Sequence, residues 1–196
     1  VLFRSMTTLG LEKKDIGILG ALLVLGLGVG SVLAGIASRG KVELGIVPVG
    51  AMGITFSSIM LFVSGQYVDP TVAALSQPSF FFCCFWLFLL GASAGFFDIP
   101  LEANLQHRSD VEKRGTILAA TNFLTFAFIL GASVVFHVLR SVLELSPGVI
   151  FLVAGIGTIP VIWQSFRILP QSTIRFVVWI MSLFFYRIRV VGRDFI

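Results

Sequence analysis

The polar side chains that could do chemistry in this chain are few, and most stand inside or beside long apolar runs. Asp98 and Glu102 are four residues apart, which places both carboxylates on one face of a helix. A carboxylate near a membrane core is costly unless it is paired or hydrated. Asp98 therefore indicates either contact with a cation, a proton or a polar headgroup, or an ion pair with arginine at the helix end. Asn122, with Thr125 nearby, either lines a cavity or hydrogen-bonds to another helix.

The motifs of soluble enzymes do not occur in the sequence in their required context. Two strings come near such motifs without that context: 35–41 (GIASRGK) is followed by valine where a phosphate loop has serine or threonine, and 91–95 (GASAG) lies inside an apolar run of helical length where a nucleophile elbow needs a strand-to-helix turn. The two histidines, His107 and His137, have no metal-ligand partner at a useful spacing. Cys83 and Cys84 are adjacent within an apolar run, which favours small core residues over a disulfide or a metal site. These 196 residues are therefore predicted to be without catalytic residues and without a metal or other cofactor.

The composition is that of a membrane protein. Hydrophobic residues make up 57% of the chain and charged residues 12%, and the mean hydropathy is +1.00. Soluble domains are about 45–50% apolar and about 25% charged. The difference excludes an ordinary soluble enzyme, a disordered tail and a nucleic-acid-binding domain. The net charge of +4 is then expected to reflect basic residues in cytoplasmic loops, with no nucleic acid as partner.

Five apolar runs predict an all-α polytopic membrane protein. Each run is close to bilayer length at the helical rise of about 1.5 Å per residue, and none alternates as a barrel strand would. The predicted helices cover about 16–38, 44–64, 80–101, 116–139 and 148–168. After a break at Leu169 and Pro170, residues 173–185 predict an interfacial helix, and 186–193 alternate in a way suited to a short strand.

The first helix carries small residues whose spacing places them on one stripe. In lipid, small residues allow two helices to approach closely. The stripe indicates either a moving interface of a transporter or plain tight packing. Its members are Gly17, Gly20, Gly28, Ser31 and Gly35.

Basic residues are distributed unevenly between alternate loops. The second and fourth loops hold Arg140 alone, whereas five basic residues follow from Arg167 onwards. Cytoplasmic loops carry the excess of lysine and arginine. The first and third loops and the C-terminus are therefore predicted to be cytoplasmic, with the first helix entered from outside. The basic residues of the first and third loops are Arg39, Lys41, Arg108, Lys113 and Arg114.

An odd number of spans entered from outside is unusual for a complete transporter, and we expect the sequence to be a fragment. Residues 1–5 (VLFRS) resemble the in-frame translation of a sequencing-adapter end and are interpreted as an artefact. The alternative is that Met6 is the true start and vector residues precede it. The transmembrane region is then 6–168, followed by a linker region at 169–196.

Several strings resemble the major facilitator superfamily, in its C-terminal six-helix half. Two tight basic loops, 38–41 (SRGK) and 108–115 (RSDVEKRG), stand where that superfamily has short cytoplasmic loops. In that frame the five helices resemble helices eight to twelve. Three strings resemble the lysophospholipid transporter branch more narrowly and cover about a fifth of the chain: 40–51 (GKVELGIVPVGA), 95–109 (GFFDIPLEANLQHRS) and 114–123 (RGTILAATNF).

The resemblance implies a function. The tail resembles the start of a glycerophospholipid acyltransferase domain, whose His-x-x-x-x-Asp motif would come downstream and does not occur here. Bacterial fusions of a lysophospholipid transporter to a 2-acylglycerophosphoethanolamine acyltransferase have this arrangement. The implied protein lies in the bacterial inner membrane and moves lysophosphatidylethanolamine to the cytoplasmic side for re-acylation. Its implied partners are the membrane lipid, a missing N-terminal transporter half and a downstream acyltransferase domain.

Site residues follow from the same resemblance. Asp98 and Asn122 are the candidates for the substrate cavity, although Asp98 and Glu102 stand where the family usually has an apolar residue or asparagine. A cytoplasmic gating or loop network is predicted from Arg39, Lys41, Glu102, Arg108 and Arg114. Two alternatives remain open. One is a general major facilitator exporter of a small solute or drug, and the other is a membrane anchor of a phospholipid acyltransferase.

Overall fold

The computed structural model describes residues 13–38, 44–69 and 73–168, together with Val178, and every regular element in them is helical. A short 3-10 helix, Ala74–Ser76, lies in the second loop, and a π-helical turn, Val138–Val142, continues the fourth α-helix. The α-helices are α1 (Lys13–Ser38), α2 (Ile46–Gly65), α3 (Pro78–Arg108), α4 (Arg114–His137), α5 (Pro147–Gly157) and α6 (Ile159–Ile168).

Five helical segments are long and apolar enough to cross a membrane, which confirms the all-α class and fits a polytopic membrane protein. Their ends agree with the predicted ends to within a few residues, except for the third. The predicted interfacial helix and terminal strand, like Arg39 and Lys41, lie outside the described residues. The five segments are Gly17–Ser38, Leu44–Gly65, Pro78–Arg108, Arg114–Val142 and Pro147–Ile168.

The third helix is longer than predicted. It was expected to end near Leu101, but α3 continues through the buried Pro100 to Arg108. The seven added residues include Glu, Ala, Leu, Gln and Arg, which favour helix, so the sequence beyond the proline supports another two turns. The helix ends at Ser109, whose backbone is extended. The third loop is therefore shorter than the sequence indicated.

The packed helices form a layer with α3 inside it. The helix α1 packs along one side of α3 and α2 along the other, while α1 and α2 make no substantial contact with each other. The far side of α2 packs against α5 and, over a shorter length, against α6. The order across the layer is thus first, third, second and fifth span.

The contacts also give the direction of each helix. Along the α1–α3 contact, Gly26 lies against Phe88 and Ser31 against Gly95, so these two helices run parallel. Along the α2–α3 contact, Gly50 lies against Phe97 whereas Ser64 meets Cys83, so these two run antiparallel.

The fifth span can be placed in the same way. Gly148 lies against Phe62, and Thr158 meets Thr55, so α5 runs antiparallel to α2. The first, third and fifth spans therefore share one direction and the second is opposed. A chain that crosses a bilayer repeatedly through short loops requires this alternation.

The contact between α1 and α3 is made by glycines on both helices. Gly26 and Gly30 of α1 and Gly91 and Gly95 of α3 bring main chain against main chain, with no room for a Cβ atom. Each pair has the Gly-x-x-x-Gly spacing that places both glycines on one face.

Of the small-residue stripe predicted for α1, Ser31 packs against Gly95 of α3, whereas the four glycines of the stripe do not pack against a described helix. Glycines 17, 20, 28 and 35 have no atom of another described residue within 4 Å of the space a Cβ would occupy. The helix carries two sets of glycines, and the set that packs is the one whose spacing of four matches Gly91 and Gly95 on α3. Ala34, wholly buried, continues the packed face by one more turn.

The fourth span is the exception to this packing. No residue of α4 is buried, and the helix makes substantial contact only with the π-helical turn that continues it. That turn has main-chain hydrogen bonds of wider reach than an α-helix, such as Leu143 N–H to the carbonyl of Val138 at 3.0 Å. The span is therefore defined by its own backbone and by apolar composition, not by neighbouring helices.

Candidate functional site

Asp98 lies near one end of the packed layer, with its side chain exposed. Its neighbour Phe97 meets Gly50, the fifth residue of α2. At the rise of an α-helix this is roughly 6 Å inside the start of α2. The carboxylate thus stands about one turn within the layer, where it is open to solvent or a headgroup. Glu102, one turn further along the same face of α3, is also exposed.

Asn122 is exposed on α4, about two turns from the start of that helix. The neighbouring hydroxyls are satisfied within the helix: Thr121 donates to Ile117 O at 2.9 Å and Thr125 to Thr121 O at 3.0 Å. The amide of Asn122 is therefore the polar group of this stretch that remains available to a ligand or another helix. The structure does not bring Asn122 and Asp98 together, because α4 makes no substantial contact with α3.

The predicted loop network is represented by three of its five members. Glu102 and Arg108 lie six residues apart on α3, on different faces, and Arg114 begins α4. All three side chains are exposed, and none is paired with another charged group in the part of the chain that the structure describes. Arg108 ends α3 and Arg114 begins α4, so the third loop joins these two basic residues, and Glu102 lies about two turns before Arg108.

A line of hydroxyl groups follows the α2–α3 contact and was not predicted from the sequence. Ser93 of α3 fills the space over Gly53 of α2, and Ser64 accepts a hydrogen bond from the Cys83 thiol at 3.3 Å. Ser57 lies between these two points on the same face of α2. It is 0% exposed, and its hydroxyl has no hydrogen-bond partner among the described residues.

A second polar contact joins α2 to the fifth span. The hydroxyl oxygens of Thr55 and Thr158 lie 2.5 Å apart, and the Thr158 hydroxyl also donates to Gly155 O at 2.7 Å. The Thr55 hydroxyl likewise lies 3.2 Å from Ala51 O, so each threonine has a carbonyl acceptor in its own helix and either one can donate in the bond between them. The contact lies where α5 ends and α6 begins. The sequence signal was weak, since isolated threonines in apolar runs give no indication of their partner.

The described residues contain no group of three or more His, Cys, Asp or Glu side chains that could hold a metal ion. What the described residues offer chemically is a carboxylate, an amide and several guanidinium groups exposed on helix surfaces, which are groups suited to binding polar ligands. Comparison of the chain with protein-family models, curated proteins and solved structures finds no match.

Proposed function

We propose that this chain is part of a transporter that moves a lysophospholipid, lysophosphatidylethanolamine, across the bacterial inner membrane for re-acylation. The proposal rests on the set of membrane-length helices in alternating direction, taken together with the three sequence strings that resemble the lysophospholipid transporter branch. In that branch the chain would supply helices eight to twelve, with the N-terminal half and an acyltransferase domain as its partners.

The exposed polar groups suit the two charges of this headgroup. Its ammonium requires a carboxylate or an aromatic face, and Asp98 offers an exposed carboxylate one turn within the layer. Its phosphate requires a guanidinium or ammonium group, which Arg108 and Arg114 offer at the same end. The single acyl tail would remain against apolar helix surfaces, where its burial needs no polar partner.

The transport step in this proposal is alternating access. The two halves of the transporter would rock about a binding site between them, as in other transporters built from repeats. Asn122 would face that site from α4, whose surface is free of contacts with the described helices. The basic loops, including Arg39 and Lys41, would lie on the cytoplasmic side, and the tail would continue there into the acyltransferase.

The experiment is uptake of radiolabelled lysophosphatidylethanolamine by spheroplasts that express the intact gene. We expect uptake above the background of cells without the gene, and a loss of about tenfold to a hundredfold for Asp98→Asn, because a charge-assisted contact of about 1.5–3 kcal/mol is lost. Asp110→Asn, in the exposed third loop, is the matched control and should leave uptake unchanged.

Three outcomes decide between the proposal and its alternatives. Background uptake with the protein present in the membrane would overturn the lipid substrate and favour an exporter of another solute. Acyltransferase activity without uptake would favour the membrane anchor. Equal uptake by wild type and Asp98→Asn would keep the transporter and remove Asp98 from its site.

A further inference from the structure

The fifth apolar segment is interrupted within its length. The helix α5 ends at Gly157 and α6 begins at Ile159, with Thr158 as a turn between them. Pro160 has no backbone N–H and cannot donate to the carbonyl of residue 156, which removes a hydrogen bond at this point. Glycine at 157 adds backbone freedom beside the break. The sequence thus weakens the helix on both sides of Thr158.

The two sides of the break are held to different degrees. On the α5 side, Gly155 is buried so closely that a Cβ atom would lie 2.9 Å from the Cβ of Ser58. Gly148, about two turns before Gly155, lies against Phe62, so α5 packs along α2 between these two positions. On the α6 side no residue is buried, and Trp163 is 65% exposed. The second half of the span, α6, is therefore packed less tightly than the first half, α5.

One side-chain hydrogen bond joins the break itself to the neighbouring helix within the described residues. It is the bond between the hydroxyls of Thr55 and Thr158, each of which also has a carbonyl acceptor in its own helix. The remaining side-chain hydrogen bond in α6, from Ser165 to Val161 O, stays within the helix. Main-chain bonds also meet at the break, from Thr158 N–H to Ala154 O and from Ile162 N–H to Thr158 O. The threonine pair therefore fixes the angle between α5 and α6 together with these bonds and with the short contact between α2 and α6.

We propose that Thr158 is a hinge in the fifth span and that the Thr55–Thr158 hydroxyl pair is the latch that holds it. When the pair separates, α6 rotates relative to α5 while α5 remains seated on α2. The inference concerns the chain's own mechanics and holds whatever the transported molecule is.

The test measures the angle of α6 by pulsed electron paramagnetic resonance on the full chain in lipid nanodiscs. Spin labels at Met52→Cys on α2 and Phe166→Cys on α6 report the hinge, in a background with Cys83→Ser and Cys84→Ser. Both labelled positions are exposed in the structure. Thr158→Val removes the latch without changing the volume of the side chain.

We expect Thr158→Val to at least double the width of the distance distribution between the labels. The matched control is Thr125→Val, because that hydroxyl bonds only to a carbonyl of its own helix. It should leave the distribution unchanged. A second variant, Pro160→Ala, restores a backbone donor after the break and should narrow the distribution even when residue 158 is valine.

A second label pair separates hinge motion from loss of packing. Labels at Val63→Cys on α2 and Val153→Cys on α5, both exposed, span the seated part of the contact. Their distance should be the same in every variant. An unchanged α2–α6 distribution in Thr158→Val would overturn the latch. Equal broadening of the α2–α5 pair would overturn the hinge, because the threonines would then hold the whole helix.

Discussion

Gly95 of α3 and Ser31 of α1 meet main chain to main chain: a Cβ atom on residue 95 would lie 2.6 Å from the amide nitrogen of Ser31. Real side chains do not fit at that separation, so the two helices approach as closely as their backbones allow. In lipid such close packing replaces the hydrophobic effect as the source of helix association. The α1–α3 pair is therefore the most tightly joined part of the described structure.

A valine at Gly30 should separate these helices, whereas a valine at Gly28 should not. The Cβ of residue 30 would collide with the main chain of Ala92, which cannot move aside, while no atom lies within 4 Å of the corresponding space at residue 28. We expect Gly30→Val to lower the free energy of unfolding by about 1–3 kcal/mol, as overpacking does. Equilibrium unfolding in mixed micelles measures both variants, and an equal loss in Gly28→Val would contradict this packing.

The two threonines of the α2–α5 contact should show energetic coupling. A double-mutant cycle with Thr55→Val and Thr158→Val is expected to give about 0.6–1.7 kcal/mol, the range of hydrogen bonds between membrane helices. The same cycle between Thr55 and Thr125 should give none, since Thr125 bonds within α4. Coupling near zero in the first cycle would show that the two hydroxyls do not bond in the membrane.

Removing the hydroxyl of Ser57 should raise stability, in contrast to removing that of Ser64. The Ser57 hydroxyl is buried without a partner among the described residues, so Ser57→Ala relieves a desolvation cost of about 1–3 kcal/mol. Ser64 donates to Met60 O at 2.8 Å and accepts from Cys83, so Ser64→Ala should cost about 0.5–1.5 kcal/mol. Thermal unfolding of the two variants shows whether each substitution raises or lowers stability. Destabilisation by Ser57→Ala would refute the prediction for Ser57.

The second and third loops should face opposite sides of the membrane. Tyr67 and Val111 are both well exposed, at 74% and 79%, and suit single cysteines in a chain without Cys83 and Cys84. By the distribution of basic residues, a membrane-impermeant maleimide should label Tyr67→Cys in intact cells and Val111→Cys only after permeabilisation. The reverse pattern would invert the predicted orientation, and labelling of both in intact cells would contradict the alternation of the helices.

The spans could be predicted from sequence because length and hydropathy suffice for that purpose. Which face of each helix would pack could not, because α1 has two sets of glycines and only the partner helix selects between them. Gly91 and Gly95 select the pair Gly26 and Gly30 by their common spacing of four. A search for that spacing on both helices would have identified the contact.

The polar groups were harder to place for a related reason. The sequence predicts Asp98 about one turn inside a helix that ends near Leu101, whereas α3 continues ten residues beyond Asp98 to Arg108. The partners of Thr55 and Ser57 depend on which helix lies alongside, and that depends on the layer order. The break at Thr158 could have been anticipated from Pro160, which lies in the middle of a run of bilayer length.

The position of α3 between α1 and α2 has a consequence for biogenesis. Because the first two spans make no substantial contact with each other, they cannot pair as a hairpin when they leave the ribosome. Both α1 and α2 must remain without a packing partner in the bilayer until α3 is inserted. The fifth span then packs against the other side of α2. The membrane insertion machinery would therefore hold α1 and α2 until α3 follows, and translation through α3 would be the step that lets this part of the chain assemble.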